Sequence, residues 1–299
     1  MLSQDALVCY RKAGRIAARV RKSIRRFVKR GRLIVDICKK TEKMILDEGG
    51  ELAFPCNVGV DHVAAHYTSP PGDSSRIPAG SLVKIDLGVH IDGYIADTAT
   101  TVCLNPRYRL LVEAADQALL QATKVLSPGC RSSQVGEVIE NTIKSYRLKP
   151  VRNLSGHQIQ RYVLHTGKTV PNVSGFDTQR FSKGEVYAIE PFVTLPKFDG
   201  AVYNSQKRCI FRLSRSHRLQ DEGDRHIIEI VKSRFGFLPF AKRWLEKEFS
   251  SDDMQLFDRL VSRKILDSYP VLVEKTDGPV AQAEHTVLIT ENGCEVFTA

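Results

Sequence analysis

The chain has 299 residues, 42% of them hydrophobic, and this is enough for a substantial core in one large domain or two small ones. Its first residues lack the apolar core of a signal peptide, and no uncharged apolar run reaches the length of a membrane span. Seven cysteines are scattered singly without a Cys-x-x-Cys pair, a pattern typical of a reducing compartment. We therefore expect a cytoplasmic protein with no membrane contact.

The net charge of +10 is concentrated near the amino terminus, where residues 11–32 hold eleven Lys or Arg and no acid. A helix over this segment would collect its apolar side chains on one face, namely Ala13, Ile16, Ala17, Val20, Ile24 and Phe27. The cations would cover the rest of the helix and offer a surface for RNA that is electrostatic and unspecific in sequence. The alternative is a solvated face of a basic protein.

Two halves of the chain resemble each other. Helical spacing of apolar residues predicts one pair of helices before Gly49-Gly50 and a second pair 98 residues later, over about 111–143. A strand-like stretch follows each pair, at 57–66 and at 153–165. The repeat indicates two related α+β units.

A strand bearing an acid closes each unit. The segment Gly80–Asp86 matches Gly184–Glu190 position for position at a shift of 104, which pairs Asp86 with Glu190. Further on, Asp97 and Glu284 each follow an alanine and open a β-rich run. Related units that contribute acids from matching strands predict a metal site near a pseudo-two-fold axis.

The stretch around Asp92-Gly93 predicts a β-hairpin, because two β-prone apolar runs flank a dipeptide that favours a tight turn. Folding there would bring Asp86 and Asp97 to neighbouring positions on adjacent antiparallel strands. Two acids inside an apolar hairpin repel each other unless a proton or a cation intervenes. The alternative is a pair of solvent-facing aspartates near a turn.

Five side chains form the predicted dinuclear metal site: Asp86, Asp97, His157, Glu190 and Glu284. Carboxylate and imidazole ligands without cysteine suit hard or borderline ions such as Mn, Fe, Co or Zn. Two ions need at least one bridging carboxylate, and this set contains four carboxylates from which a bridge could come.

Between Glu190 and Glu284 the second half is longer than the first, and residues 222–269 have mainly helical spacing. We interpret residues 209–275 as a helical insertion within a single catalytic domain of residues 1–299. Its aromatic residues favour a small core of its own over a cofactor site.

Taken together, these residues resemble the type 2 methionine aminopeptidases, in the short archaeal form, over nearly the whole chain. The resemblance rests on ordered motifs: Phe54–Asn57, Ala64–Thr68, Lys84–Thr98, Gly156-His157, Leu164–Lys168 with Pro171-Asn172, Ala188–Phe192 and Ala281–Thr286. It implies an α+β pita-bread (creatinase/aminopeptidase) fold with pseudo-two-fold related halves and the helical insertion of type 2. It also implies metal-dependent removal of the initiator methionine from nascent chains in which a small residue follows Met, by a monomeric enzyme.

The resemblance assigns roles residue by residue. Asp86 would chelate one ion, Asp97 and Glu284 would bridge, and His157 with Glu190 would bind the other ion. Hydrolysis would use a hydroxide bound between the two ions, with Glu190 accepting and passing on the proton. His66 and His165 would contact the scissile peptide and stabilise the oxyanion.

The methionine pocket implied by the family is lined by Phe54, Leu164, His165 and Phe192, since sulfur beside aromatic rings is favourable. Plain core packing is the alternative for the two phenylalanines. Two departures bear on this region: Ala283 stands where the family commonly has an aromatic residue, and residues 195–225 match weakly.

Two other functions fit parts of the pattern. An X-Pro aminopeptidase or prolidase shares all five ligands, but it usually carries an additional amino-terminal domain, and here only 85 residues precede Asp86. A non-enzymatic protein of this fold that binds ribosomes or RNA through the basic segment 11–32 would not need an intact ligand set. In the enzyme, the same segment would contact the ribosome from which the substrate emerges.

Overall fold

A computed structural model of the protein describes residues 2–176, 178–214 and 222–299. Its first half contains α1 (Gln4–Ile24), α2 (Ile34–Asp47), β1 (Glu51–Val60), β2 (Val63–Ala65), β3 (Leu82–Ile91) and β4 (Tyr94–Cys103). The second half begins with α3 (Arg109–Val125), α4 (Ser132–Ser145), β5 (Lys149–Pro150), β6 (Ser155–Ile159), β7 (Thr169–Pro171), β8 (Val186–Ile189) and β9 (Phe192–Thr194). It continues with β10 (Val202–Leu213), α5 (Glu222–Phe235), β11 (Phe240–Ala241), α6 (Ser251–Ser262), β12 (Leu266–Glu274), β13 (Val280–Gln282), β14 (His285–Ile289) and β15 (Cys294–Val296).

Helix α1 carries the predicted apolar face, and that face is buried against β3 and β4. Its predicted extent is wrong, because the helix ends at Ile24 and not near residue 32. Beyond Ile24 the chain turns inward, which buries Val28, and Gly31 at φ +79° donates its N–H to the carbonyl of Ile77. Only part of the basic segment is therefore helical.

The predicted hairpin is confirmed. Asp92 and Gly93 connect β3 and β4 with φ values of +51° and +80°, as a type I′ turn requires. In the register of the two strands, Gly88 faces Asp97, and Asp86 is the residue two positions before Gly88. Side chains two residues apart on a strand point to one face, so Asp86 and Asp97 lie diagonally on the same face of the hairpin.

The two halves repeat one arrangement around a pseudo-two-fold axis. In the first half the strand order is β1-β3-β4, and in the second half the order β6-β8-β14 recurs within a five-stranded sheet, β15-β14-β8-β6-β7. Helices α1 and α2 precede the first set, and α3 and α4 precede the second. The fold is thus the α+β pita-bread arrangement, with each half packed around its own apolar cluster.

A third sheet, in the order β11-β10-β12-β2, extends from this framework. Helices α5 and α6 follow β10 and precede β12, and they share a separate apolar cluster that includes Phe211, Phe240 and Phe257. The helical residues thus lie between two long paired strands. The last four residues of the predicted, mainly helical segment 222–269 belong instead to β12. The bounds 209 and 275 of an insertion stay a prediction.

No helix among the described residues is long and apolar enough to cross a membrane.

Candidate metal centre

All five predicted ligands lie around one cavity of about 50 Å³ between the two halves. Asp86 comes from β3, Asp97 from β4 and His157 from β6. Glu190 follows the last residue of β8, and Glu284 precedes the first residue of β14. Matching strands of the two units therefore supply matching acids, as the internal repeat predicts.

Distances within this group fit ligands that converge on shared ions. His157 Nε2 lies 3.5 Å from Asp97 Oδ2 and 3.7 Å from Glu190 Oε1. One ligand atom each from Asp97, His157 and Glu284 lie within 4.8 Å of one another. None of these contacts is a short ion pair, so space remains among the groups.

The four carboxyl groups carry an unbalanced charge. Burial raises the pKa of Asp97 to about 7, and burial together with the neighbouring acids raises the pKa values of Asp86, Glu190 and Glu284 well above their ordinary range. Within the described residues, no Lys or Arg forms an ion pair with any of the four. Such a group is stable in ionised form only with a cation among its members.

Unpaired polar atoms identify where a cation would bind. Asp86 Oδ1 and Asp97 Oδ1 are buried without a hydrogen-bond partner in the described part of the chain. Burial lowers the pKa of His157 to about 4, so its ring is neutral at neutral pH and able to ligate. Oxygen and imidazole donors without sulfur fit divalent ions of the Mn, Fe, Co and Zn type.

Two amides support the ligands, and the sequence motifs had given neither of them a role. Asn57 donates from Nδ2 to Asp86 Oδ2 at 3.3 Å, and its own Oδ1 is a further buried atom without a partner in the described residues. Gln282 donates from Nε2 to Glu190 Oε2 at 3.3 Å and to Glu284 Oε2 at 3.5 Å. Amides that hold ligating carboxylates fix their orientation.

The two predicted catalytic histidines line the same cavity as the acids. His66, in a left-handed conformation at φ +64°, has its Nδ1 3.2 Å from the carbonyl oxygen of Pro270. A carbonyl only accepts, so Nδ1 carries the proton, and since burial lowers the pKa of His66 to about 4, Nε2 is an unprotonated acceptor. His165 is exposed at the mouth of the cavity, with its ring centre 4.1 Å from that of His157.

The predicted methionine pocket is brought together in part. Phe54, Leu164 and His165 line the cavity, and Gly88 makes room for the Phe54 ring, because a Cβ at Gly88 would lie 2.2 Å from a ring carbon. Phe192 is not among the lining residues and is buried in a cluster with Ala64 and Val202. Ala283 is likewise buried in the core of the second half and does not line the cavity.

Sequence reasoning missed Tyr269 and Arg212, which lie at the rim. Tyr269 lines the cavity and also the adjoining cleft of about 370 Å³, where its ring stands edge-on to His66 at 5.5 Å between ring centres. Arg212 lies over the Tyr269 ring, 5.7 Å from its centre. Both belong to strands β10 and β12, where alternating polar and apolar residues give no sign of a site.

The comparisons with known proteins agree with this geometry. The model of metallopeptidase family M24 matches residues 8–291. Two relatives named methionine aminopeptidase are a protein of Methanothermobacter thermautotrophicus, 41% identical over 97% of both chains, and one of Methanocaldococcus jannaschii, 38% identical over 96% of both.

Among solved structures, that of a thermophilic Arx1 has a TM-score of 0.83 over 99% of this chain and 91% of its own, at 20% identity. A likeness at this identity concerns the fold alone.

Proposed function

Because the chain belongs to metallopeptidase family M24, we propose that it is a methionine aminopeptidase, which removes N-terminal methionine from peptides and nascent proteins by metal-dependent hydrolysis. The observation that carries this proposal is the convergence of four carboxylates and one imidazole on a single cavity, with no Lys or Arg of the described residues in an ion pair with them. The relatives give the reaction its substrate class.

We propose that two divalent ions, of Co, Mn, Fe or Zn, are held by Asp86, Asp97, His157, Glu190 and Glu284. Asp97 and Glu284, which lie at the seam where the two halves meet, would be shared by both ions, as the resemblance to the family implies. When bound, the ions lower the pKa of water and polarise the scissile carbonyl.

Glu190 is proposed to take the proton of the attacking water and to deliver it to the leaving amine. Its side chain is 13% exposed at the cavity, more open than that of Asp97 at 5%. Gln282 donates to Oε2 of Glu190 and thereby leaves Oε1 on the His157 side available for proton transfer.

His66 and His165 are proposed to hold the scissile peptide. Since His66 Nε2 is an acceptor, it suits the peptide N–H of the substrate. His165 makes no hydrogen bond to another described residue, so it is available to donate to the developing oxyanion. The methionine side chain would lie against Phe54 and Leu164 next to these rings. Phe192 would act, if at all, through the cluster behind the cavity wall.

We infer a type 2 enzyme that acts as a monomer on chains with a small second residue. The pair of helices between β10 and β12, packed on its own apolar cluster, supports the subtype. The exposed cations of the amino-terminal segment are the proposed contact with the ribosome.

The decisive experiment is an assay of methionine release. We expect release from Met-Ala-Ser, dependent on Co²⁺, Mn²⁺ or Fe²⁺ after chelator treatment, and none from Met-Lys or X-Pro peptides. Cleavage of X-Pro peptides instead would assign the prolidase activity. Full activity in the metal-free protein would overturn the mechanism.

A further inference from the structure

One cation of the basic segment is directed inward. Arg21 lies in the last turn of α1, on the side of the helix that packs against β4. Its Nη1 contacts Thr98 Oγ1, lies 3.3 Å from the carbonyl oxygen of Glu284 and 3.0 Å from His285 Nδ1. Every one of these partners belongs to Glu284 itself or to a sequence neighbour of Asp97 or Glu284.

These partners form the seam between β4 and β14, which carry the two proposed bridging carboxylates. The strands belong to different sheets, and side chains hold much of the seam together. Thr98 Oγ1 donates to the Glu284 carbonyl at 2.8 Å, and Thr286 Oγ1 both accepts from Asp97 N and donates to Asp97 O at 2.7 Å. Arg21 spans this seam at the level of the two ligands.

Arg21 also differs from an ordinary structural arginine in what it binds. Within the described residues it forms no ion pair, and its hydrogen bonds go to neutral acceptors. His285 Nδ1 accepts from Arg21 and lies 2.9 Å from Thr298 Oγ1, so its proton is on Nε2. The guanidinium thus fixes one face of the Glu-His-Thr segment, and its charge acts on Asp116 and on Glu284 without a direct ion pair to either among the described residues.

Backbone packing holds α1 in this place. A Cβ on Gly14 would lie 2.2 Å from the carbonyl oxygen of Phe297, so only glycine permits the close approach of the carboxyl-terminal segment. Phe297 stacks on Tyr10 at 5.3 Å between ring centres. Tyr10 lies on the same helix, about three turns before Arg21. Arg21 therefore reaches the seam from a helix that packs on the carboxyl-terminal segment at Phe297 as well as on β3 and β4.

We propose that Arg21 is a positioning residue that sets the affinity of the carboxylate cluster for divalent ions by holding Asp97 and Glu284 in their mutual orientation. This inference rests on the proposed function, since it takes those two acids as metal ligands. Arg21 reaches Glu284 at its backbone carbonyl and Asp97 through the neighbouring Thr98. Residues that orient metal ligands without touching the ion are worth about 10–100-fold in metal affinity.

The test measures binding of Mn²⁺ to chelator-treated protein by calorimetry, together with peptide turnover as a function of Mn²⁺ concentration. In Arg21→Met we expect affinity to fall by about 10–100-fold, with turnover recovering at saturating Mn²⁺. Arg21→Lys, which keeps the charge and one donor direction, should recover part of the affinity. The matched control is Lys22→Met, the next cation along the chain and an exposed one, which should bind as the wild type does.

Thr98→Val tests the same contact with a change of similar shape, and so serves if Arg21→Met does not fold. The valine removes two hydrogen bonds, the one that Thr98 accepts from Arg21 and the one that it donates to the Glu284 carbonyl. At about fivefold each, their loss predicts a fall of about 30-fold in Mn²⁺ affinity. Unchanged Mn²⁺ affinity in both Arg21→Met and Thr98→Val, even with a lower melting temperature, would overturn the proposal and leave Arg21 a structural residue. Absence of Mn²⁺ binding by the wild type would overturn the proposed function instead.

Discussion

Glu42 and Asp224 lie as deep in the protein as Asp97 and Glu284, with exposed fractions of 6%, 0%, 3% and 1%, but they meet different partners. Glu42, on α2, contacts Arg243 and accepts from Trp244 Nε1 at 3.0 Å. Asp224 is held by Arg259 at 2.8 Å and by Arg263 at 2.5 Å. The acids of the metal centre have amides and a neutral histidine instead.

Glu274 extends the contrast without any cation. Burial opposes its ionisation, but backbone N–H groups of Gly278, Thr276 and Gly200 outweigh it, and its pKa lies below the ordinary value. Each of these three acids therefore has direct partners, arginines for Glu42 and Asp224 and backbone N–H groups for Glu274, although burial still raises the pKa of Glu42 above its ordinary value. A cluster of four acids that the fold does not satisfy in this way is built for a partner from outside.

The largest effect is expected where the unsatisfied cluster loses a shared ligand. Asp97→Asn should reduce turnover by at least about 10³ and lower the bound metal, because the proposed bridge between the ions would lose its charge, and metal supplies several kcal/mol of transition-state stabilisation. Metal content and steady-state kinetics are the measurements. Asp92→Asn is the control in the same hairpin, since Asn-Gly also favours the type I′ turn. Equal metal content in the Asp97 variant would show that it is not a ligand.

A change at the buried pair of Glu42 and Arg243 should lower the free energy of unfolding and leave catalytic turnover unchanged. Arg243→Met leaves Glu42 buried without its cation, at an expected cost of about 3–5 kcal/mol in unfolding free energy measured with urea. The double variant Glu42→Gln/Arg243→Met should recover much of that loss. Lys242→Met, which breaks the neighbouring exposed pair with Asp258, should cost less than about 1 kcal/mol. Equal losses of unfolding free energy in Arg243→Met and Lys242→Met would contradict the expected difference between the buried and the exposed ion pair.

Variants of the two histidines at the cavity distinguish a role in catalysis from a role in metal binding. His66→Ala and His165→Ala should each lower turnover by about 10² while metal content stays nearly intact, because both groups are proposed to contact substrate in the transition state. Stoichiometry by atomic absorption and single-turnover rates distinguish the roles. Loss of metal would move either residue into the ligand set, and unchanged values in both measurements would make it a packing residue.

The contribution of Asp97 to the stability of the metal-free protein should fall as pH rises from about 5 to 7. It is measured against Asp97→Asn, because His66 and His157, whose pKa values burial lowers to about 4, contribute with the opposite sign over the same range. The pKa of Asp97 is raised to about 7 in the folded chain, so the folded state binds a proton that the unfolded state has released above about pH 4. The contribution is present below about pH 4 and is lost as pH rises through about 7, at about 2 kcal/mol over the two units measured. Saturating Mn²⁺ should remove this loss, because metal binds the ionised form. Urea unfolding of the chelator-treated wild type and of chelator-treated Asp97→Asn at pH 5, 6 and 7 tests it, and the expected loss is in the difference between their unfolding free energies. A difference that does not change with pH would contradict the raised pKa of Asp97.

Sequence reasoning succeeded where the site is local or repeated. Asp86 and Asp97 lie on one hairpin whose turn is encoded by Asp92-Gly93, and Glu190 follows from Asp86 by the internal repeat. It failed where the role of a residue depends on which way its side chain points in the folded protein. Among eleven cations in residues 11–32, nothing in the order of residues distinguishes Arg21, which faces the metal centre, from Lys22, which faces solvent.

Residues at the cavity wall show the same limit. Phe192 and Phe54 are both aromatic residues in strands beside proposed site residues, yet only Phe54 lines the cavity. Tyr269 reaches it from β12 because that strand pairs with β2, next to His66, and this contact joins residues about 200 positions apart in the chain. Long-range pairing of this kind leaves no local pattern.

The exposed cations of residues 11–32 should have the smallest effect on peptide turnover, and their effect should be on ribosome binding. Arg15, Arg19, Lys22 and Arg26 are exposed, and of these only Arg19 has a described ion pair, with Glu48. Replacing all four with glutamine should leave turnover of a free tripeptide within about twofold, because the cavity is lined by none of them. It should weaken co-sedimentation with ribosomes, and each lost phosphate contact should reduce the salt dependence, log K against log[salt], by about 0.7–0.9. A variant with the same loss of charge elsewhere, Lys39, Lys40, Lys124 and Lys183 to glutamine, should bind as the wild type does. If the amino-terminal variant binds as the wild type does at every salt concentration, these four cations form a solvated face with no part in ribosome binding.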